Sequence, residues 1–149
     1  MTSPLVSVVA AESPLGDGRI DNWIIPSSVH VTLGIAVLVV VGATAVWLGR
    51  RALAGLTIDP VGKALVGASQ AVLAVQVLLG IKLLDQGQGI SQLYIHYLGG
   101  MAPMAVFLVA GWWIRGETPK SNRLLAALVA LGWISAVMAF TIGRAYVNR

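Results

Sequence analysis

The chain has 149 residues, 57% of them hydrophobic and only 11% charged, with a net charge of +4. So few charges cannot cover the surface of a water-soluble domain, so the exterior is expected to face lipid. The small, scattered positive charge gives no nucleic-acid surface. The absence of cysteine excludes disulfides, thiolate metal sites, iron–sulfur clusters and covalent c-type haem attachment.

Residues 1–28 are rich in Pro, Gly, Ser and Asp, with Trp23 near the end. The apolar stretch from Leu5 to Ala11 is short and no basic residue precedes it, so a cleaved signal peptide is not expected. The ordinary reading of residues 1–28 is a polar tail outside the membrane.

Four apolar runs follow, at about 29–49, 61–84, 93–114 and 124–146. At about 1.5 Å per residue each can cross a hydrocarbon core of about 30 Å. Lipid offers no hydrogen bonds to bare backbone, so the runs predict helices. The Val-rich stretch 37–41 favours strand in water, but the length of its run decides for helix. Arg50 and Arg51 close the first run, Asp59-Pro60 opens the second, and Pro119 interrupts the link from the third to the fourth. The expectation is an all-α fold, an integral membrane four-helix up-down bundle.

Loops one and three carry Arg50, Arg51, Lys63, Arg115, Lys120 and Arg123, whereas the other side carries Arg19, Lys82, Arg144 and Arg149. Six basic residues against four put loops one and three in the cytoplasm and both termini outside, in a multi-pass cell-membrane protein.

The chain has two histidines, His30 and His96, at the outer ends of the first and third runs. His30 lies 20 residues before Arg50, and His96 lies 19 before Arg115. On parallel helices the two imidazoles then differ in height by no more than about 2 Å. In an up-down bundle these helices are diagonal and face one interior, which suits axial ligands on opposite faces of a flat macrocycle. A lone histidine at a helix end is more often an interfacial side chain wetted by headgroups. A pair at one height points instead to a tetrapyrrole, foremost haem b held by both residues. A chlorophyll-type pigment, or no cofactor, is the alternative.

Gly34 lies one turn below His30, and Gly99 and Gly100 one turn below His96. Gly80 and Gly143 occupy the same outer half of the second and fourth runs. These glycines give room for a macrocycle, although close helix packing alone also calls for small residues. Lys82, Arg144 and Arg19 could pair with propionates, or simply anchor the interface. Ser69, Gln70 and Gln76 are the polar mid-membrane group and are expected to bond between helices. Thr32 and Thr44 are expected to bond back to their own helix. No carboxylate lies inside an apolar run, and no nucleophile–base set or phosphate loop is present.

The segments Ser27-Ser-Val-His30-Val-Thr-Leu-Gly34 and Leu93-Tyr-Ile-His96-Tyr-Leu-Gly-Gly100 resemble those of small four-helix membrane b-type cytochromes. Gln76-Val-Leu-Leu-Gly80, followed by a loop and the second histidine, also resembles one half of a haem A synthase. The resemblance implies His30 and His96 as haem ligands, but not haem A synthesis. That family places an acidic residue shortly before a ligand histidine, whereas Pro26, Ser27 and Ser28 precede His30 here.

The reading is therefore an electron-transfer subunit with one haem b near the outer face. Its expected partners are membrane lipid, other membrane subunits, and a quinone or external electron carrier. The alternative is a cofactor-free accessory subunit of a larger respiratory or photosynthetic complex. An enzyme of haem metabolism is a third reading.

Overall fold

The computed structural model describes residues 23–87 and 94–147, and all their regular structure is helical. Helix α1 spans Ser27–Leu53, α2 Pro60–Asp85, α3 Tyr94–Trp113 and α4 Pro119–Val147. Most of the N-terminal segment 1–28, Arg19 included, lies outside the described residues, as does the loop 88–93.

Local chemistry sets the C-terminus of α1 and the N-termini of α2 and α4. Helix α1 runs four residues past Gly49, to Leu53, and closes in a Schellman motif. The Gly55 N–H donates to Ala52 O at 3.1 Å and the Leu56 N–H to Arg51 O at 2.9 Å. Gly55 takes φ +71°, the left-handed conformation that this motif requires. Asp59 caps α2, its carboxylate accepting from Gly62 N at 2.8 Å, with Pro60 in the first helical position.

Helix α4 begins five residues before the expected 124, because a polar capping box opens it. The Thr118 hydroxyl accepts from Ser121 N at 3.1 Å, and the Ser121 hydroxyl accepts from Thr118 N at 2.9 Å. Hydropathy marks only the apolar part of a helix, so this first turn of Lys120, Ser121 and Asn122 escapes it.

Helices α1 and α3 each pack against α2 and α4, and among the described residues they do not pack against each other. The buried positions trace one stripe per helix at helical spacing. On α1 these are Gly34, Val37, Val41, Thr44, Leu48 and Ala52. On α2 they include Gly62, Val66, Ser69 and Leu73. Pro103, Phe107 and Ala110 supply α3, and Leu125, Val129, Ala136 and Ala139 supply α4. Thr44 and Ser69 meet inside this core, hydroxyl to hydroxyl at 2.8 Å.

Outside the stripes, all four helices turn apolar side chains outward. Val39 is 65% exposed, Leu78 64%, Leu98 71% and Leu131 63%. Such a surface is costly in water and ordinary in lipid. Helices α1, α2 and α4 are each long and apolar enough to cross a membrane.

At one end of the molecule the connections are stitched together. The Ile58 N–H donates to Gly116 O at 3.0 Å, and Asn122 Nδ2 donates to Leu56 O at 2.8 Å. Arg51 pairs with Asp59 at 3.2 Å and donates from Nε to Thr57 O at 2.8 Å. Trp47 Nε1 donates to the other Asp59 oxygen at 3.0 Å. The Trp47 hydrogen bond above all, then the Gly62 N–H and, against some opposing desolvation, the Arg51 charge, hold the Asp59 carboxyl below its ordinary pKa.

Candidate functional site: a histidine pair at the end of the core

The four buried stripes run on, past the apolar core, into a polar cluster at the other end. One more turn on α1 reaches His30, and on α2 the stripe continues through Gln76 to Gly80. On α3 it reaches His96, and on α4 it reaches Gly143. The cluster is therefore a consequence of the same helical spacing that builds the core.

His30 and His96 come from helices that are not neighbours, yet their ring centres lie 6.4 Å apart and the planes meet at 67°. Both side chains are half-buried. His96 Nδ1 lies 2.9 Å from the carbonyl oxygen of Ala139. A carbonyl only accepts, so Nδ1 carries the proton and Nε2 of the neutral ring keeps its lone pair. A protonated nitrogen anchored to backbone is the support that metal-bound histidines ordinarily have.

His30 is held differently. The side-chain nitrogen of Gln76 lies 3.3 Å from His30 Nε2. An amide nitrogen donates, so here too the neutral ring carries its proton on Nδ1. That Nδ1 is buried without a hydrogen-bond partner, and so is Gln76 Oε1. An unsatisfied buried polar group costs about 1–3 kcal/mol. Two at one spot mark a place that a bound group could complete.

The glycines divide by what they face. A Cβ at Gly143 would fall 2.9 Å from His96 Cε1 and 3.0 Å from Nδ1, so only glycine lets this ring lie against α4. A Cβ at Gly80 would touch His30 Cε1 at 3.4 Å. One at Gly34 would meet the Phe140 ring at 3.1 Å and Gln76 Nε2 at 3.3 Å. Gly99 packs against α4, where a Cβ would come within 3.1 Å of Ala139 Cβ. Gly100 has open space where its Cβ would be. Adjacent residues lie about 100° apart around a helix, so Gly99 and Gly100 cannot both face the same partner.

Two of the expected propionate partners, Lys82 and Arg144, lie among the described residues. Lys82 is bonded to Asp85 at 2.5 Å, and both side chains are largely buried. Arg144 is exposed, with its guanidinium 6.0 Å from the centre of the Phe140 ring.

Sequence reading passed over Gln76 as an ordinary interhelical bonder, together with Ser69 and Gln70. All three do bond between helices, Gln70 Nε2 donating to Phe107 O at 2.9 Å. The partner of Gln76, however, is His30. The signal was present in the sequence: Gln76 lies four residues before Gly80 and shares its face. The Ala139 carbonyl had no such signal.

Among the described residues no group of three or more His, Cys, Asp or Glu side chains could hold a metal ion. A metal here would need a macrocycle for its remaining ligands. The ring spacing suits that arrangement. Two metal–nitrogen bonds of about 2 Å, plus about 1 Å from each nitrogen to its ring centre, span about 6 Å. The Nδ1–H tautomers, which leave an Nε2 lone pair on each ring, and the ring spacing fit a bis-histidine haem. A comparison of the chain with protein-family models, with curated proteins and with solved structures finds no match.

Proposed function

We propose that the protein is a membrane electron-transfer subunit that binds one haem b between His30 and His96, near the outer face of the membrane. The observation that carries this reading is the meeting of the chain's two histidines, from non-adjacent helices, with ring centres 6.4 Å apart. Four helices cross the membrane as an up-down bundle, with loops one and three in the cytoplasm and both termini outside. The basic excess of those loops and the outward apolar faces of all four helices support that placement.

When bound, the haem supplies one-electron chemistry. The chain's own residues do the rest. His96, anchored to Ala139 O, and His30, beside Gln76, would hold the iron. Gly80 and Gly143 keep side chains off the rings, and Gly34 leaves room for Phe140 and Gln76. Arg144 and Lys82 are the candidate propionate partners, and Lys82 would share its charge with Asp85. A single site in one leaflet cannot carry an electron across the bilayer. Its exchange partner is then a membrane quinone, an external carrier or a cofactor in a neighbouring subunit.

A reduced-minus-oxidised visible spectrum of the purified protein tests the reading. A b-type Soret and alpha band is expected, removed or shifted in His30→Ala and His96→Ala. A protein with no such band would be a cofactor-free accessory subunit instead.

A further inference from the structure

The two histidines are supported unequally, and we infer that His96 is the fixed ligand of the site and His30 the exchangeable one. A small neutral diatomic molecule, of the carbon monoxide, nitric oxide or dioxygen class, then binds on the α1 side, with the Gln76 amide as its hydrogen-bond donor. This inference rests on the haem reading above.

His96 is clamped. Its Nδ1–H donates to Ala139 O at 2.9 Å, and its ring lies so close to α4 that a Cβ at Gly143 would fall 2.9 Å from it. Ala139 is itself 5% exposed, so the accepting carbonyl belongs to a packed helix. Turning this ring would break a part-buried hydrogen bond and leave the Nδ1–H donor without its acceptor.

His30 has no such anchor. Its Nδ1 has no hydrogen-bond partner, so turning the ring strands nothing new there. It sits in the first turn of α1, whose capping residue, Pro26, supplies no side-chain hydrogen bond. It lies less close to α2 than His96 does to α4, for a Cβ at Gly80 would meet it at 3.4 Å, against 2.9 Å between a Cβ at Gly143 and His96. Its Nε2 lone pair, the one an iron would need, already accepts from Gln76. Gln76 therefore competes with the metal for His30, whereas nothing comparable competes for His96 through Ala139.

The same amide gives an incoming molecule a partner. With the His30 Nε2 lone pair taken by iron, the Gln76 N–H has lost that acceptor, and once His30 turns away it is free to donate to the outer atom of a bound diatomic. Gly34 leaves space beside that nitrogen, since a Cβ there would come within 3.3 Å of it. Exchange needs only rotation of the ring, because the backbone ahead of α1 is held at Ile25 by Gln86.

The test uses the full chain, purified in detergent, loaded with haem b, reduced and titrated with carbon monoxide. The wild type should show a saturable Soret shift. His30→Ala should keep its haem and bind carbon monoxide about ten-fold more tightly, while His96→Ala should lose haem affinity by about ten-fold or more. Gln76→Leu should raise the carbon–oxygen stretching frequency of the complex by removing the hydrogen bond. Circular dichroism establishes that each variant is folded, and Gly143→Ala, which displaces His96 from its anchor, serves if His96→Ala does not fold. A haem-loaded wild type that ignores saturating carbon monoxide would overturn the inference alone, as would indistinguishable behaviour of the two histidine variants. A wild type that takes up no haem would overturn the haem reading and this inference with it.

Discussion

His96 reaches the backbone of α4 because residue 143 is glycine. The carbonyl that accepts its proton, Ala139 O, lies one turn before Gly143, and a side chain at 143 would occupy the ring's place. The same device recurs twice. Trp133 Nε1 donates to Leu38 O at 2.9 Å, one turn before Gly42, and Gln70 donates to Phe107 O, one turn before Gly111. A Cβ at Gly42 or Gly111 would collide with the donor in each case. A fourth case uses proline: Pro103 has no N–H for Gly99 O, and Ser135 donates to that oxygen at 3.2 Å instead.

Gly143→Ala is therefore expected to break the His96–Ala139 bond. Leaving the part-buried His96 N–H without its acceptor should cost about 1–3 kcal/mol, partly offset by the better helix propensity of alanine. Thermal melting of the purified protein should show a lower midpoint than wild type.

Gly100→Ala is the control. Its Cβ meets open space, so the change should be neutral or stabilising by up to about 1 kcal/mol. Gly111→Ala, on the same helix, should destabilise by displacing Gln70 from Phe107 O. Melting midpoints in the order Gly100→Ala, wild type, Gly111→Ala would bear this out. A reversed order would mean that the carbonyl bonds contribute little.

Much of the architecture was legible because length overrides propensity in apolar runs. The Val-rich stretch 37–41 is helix, as its run required. Counting residues to the nearest arginine brought His30 and His96 to one level, and their rings do meet. The glycines were less legible. Sequence distinguishes neither Gly99 from Gly100 nor a glycine that faces a ring from one that faces outward, because the rotation of each helix is fixed only by its neighbours. The capping box at Thr118 was hidden for a different reason, since its polar turn falls outside the apolar run. The two-point grip of Gln86 on Ile25 joins residues 61 apart and has no local signature.

That grip makes a prediction of its own. Gln86 Oε1 accepts from Ile25 N at 2.6 Å, and Gln86 Nε2 donates to Ile25 O at 2.9 Å. Gln86→Ala removes both bonds. Amide exchange at Ile25 should accelerate about ten-fold, with little change in the interior of α1.

Asp59 should make the stitched end of the molecule acid-sensitive. Its carboxyl is held below the ordinary 3.8, so its contribution to stability is complete above that value and is lost as pH falls through the lowered one. The melting midpoint should drop in that acid range for wild type. Asp59→Asn should start lower at neutral pH, for loss of the Arg51 pair, and should show a weaker acid response.

Haem stoichiometry tests whether one haem lies between His30 and His96. The pyridine haemochrome assay on protein purified from haem-replete cells should give about one haem b per chain. The His30→Ala/His96→Ala double variant should give none. Haem-free wild-type protein, or equal haem in wild type and double variant, would mean that the two histidines hold no haem.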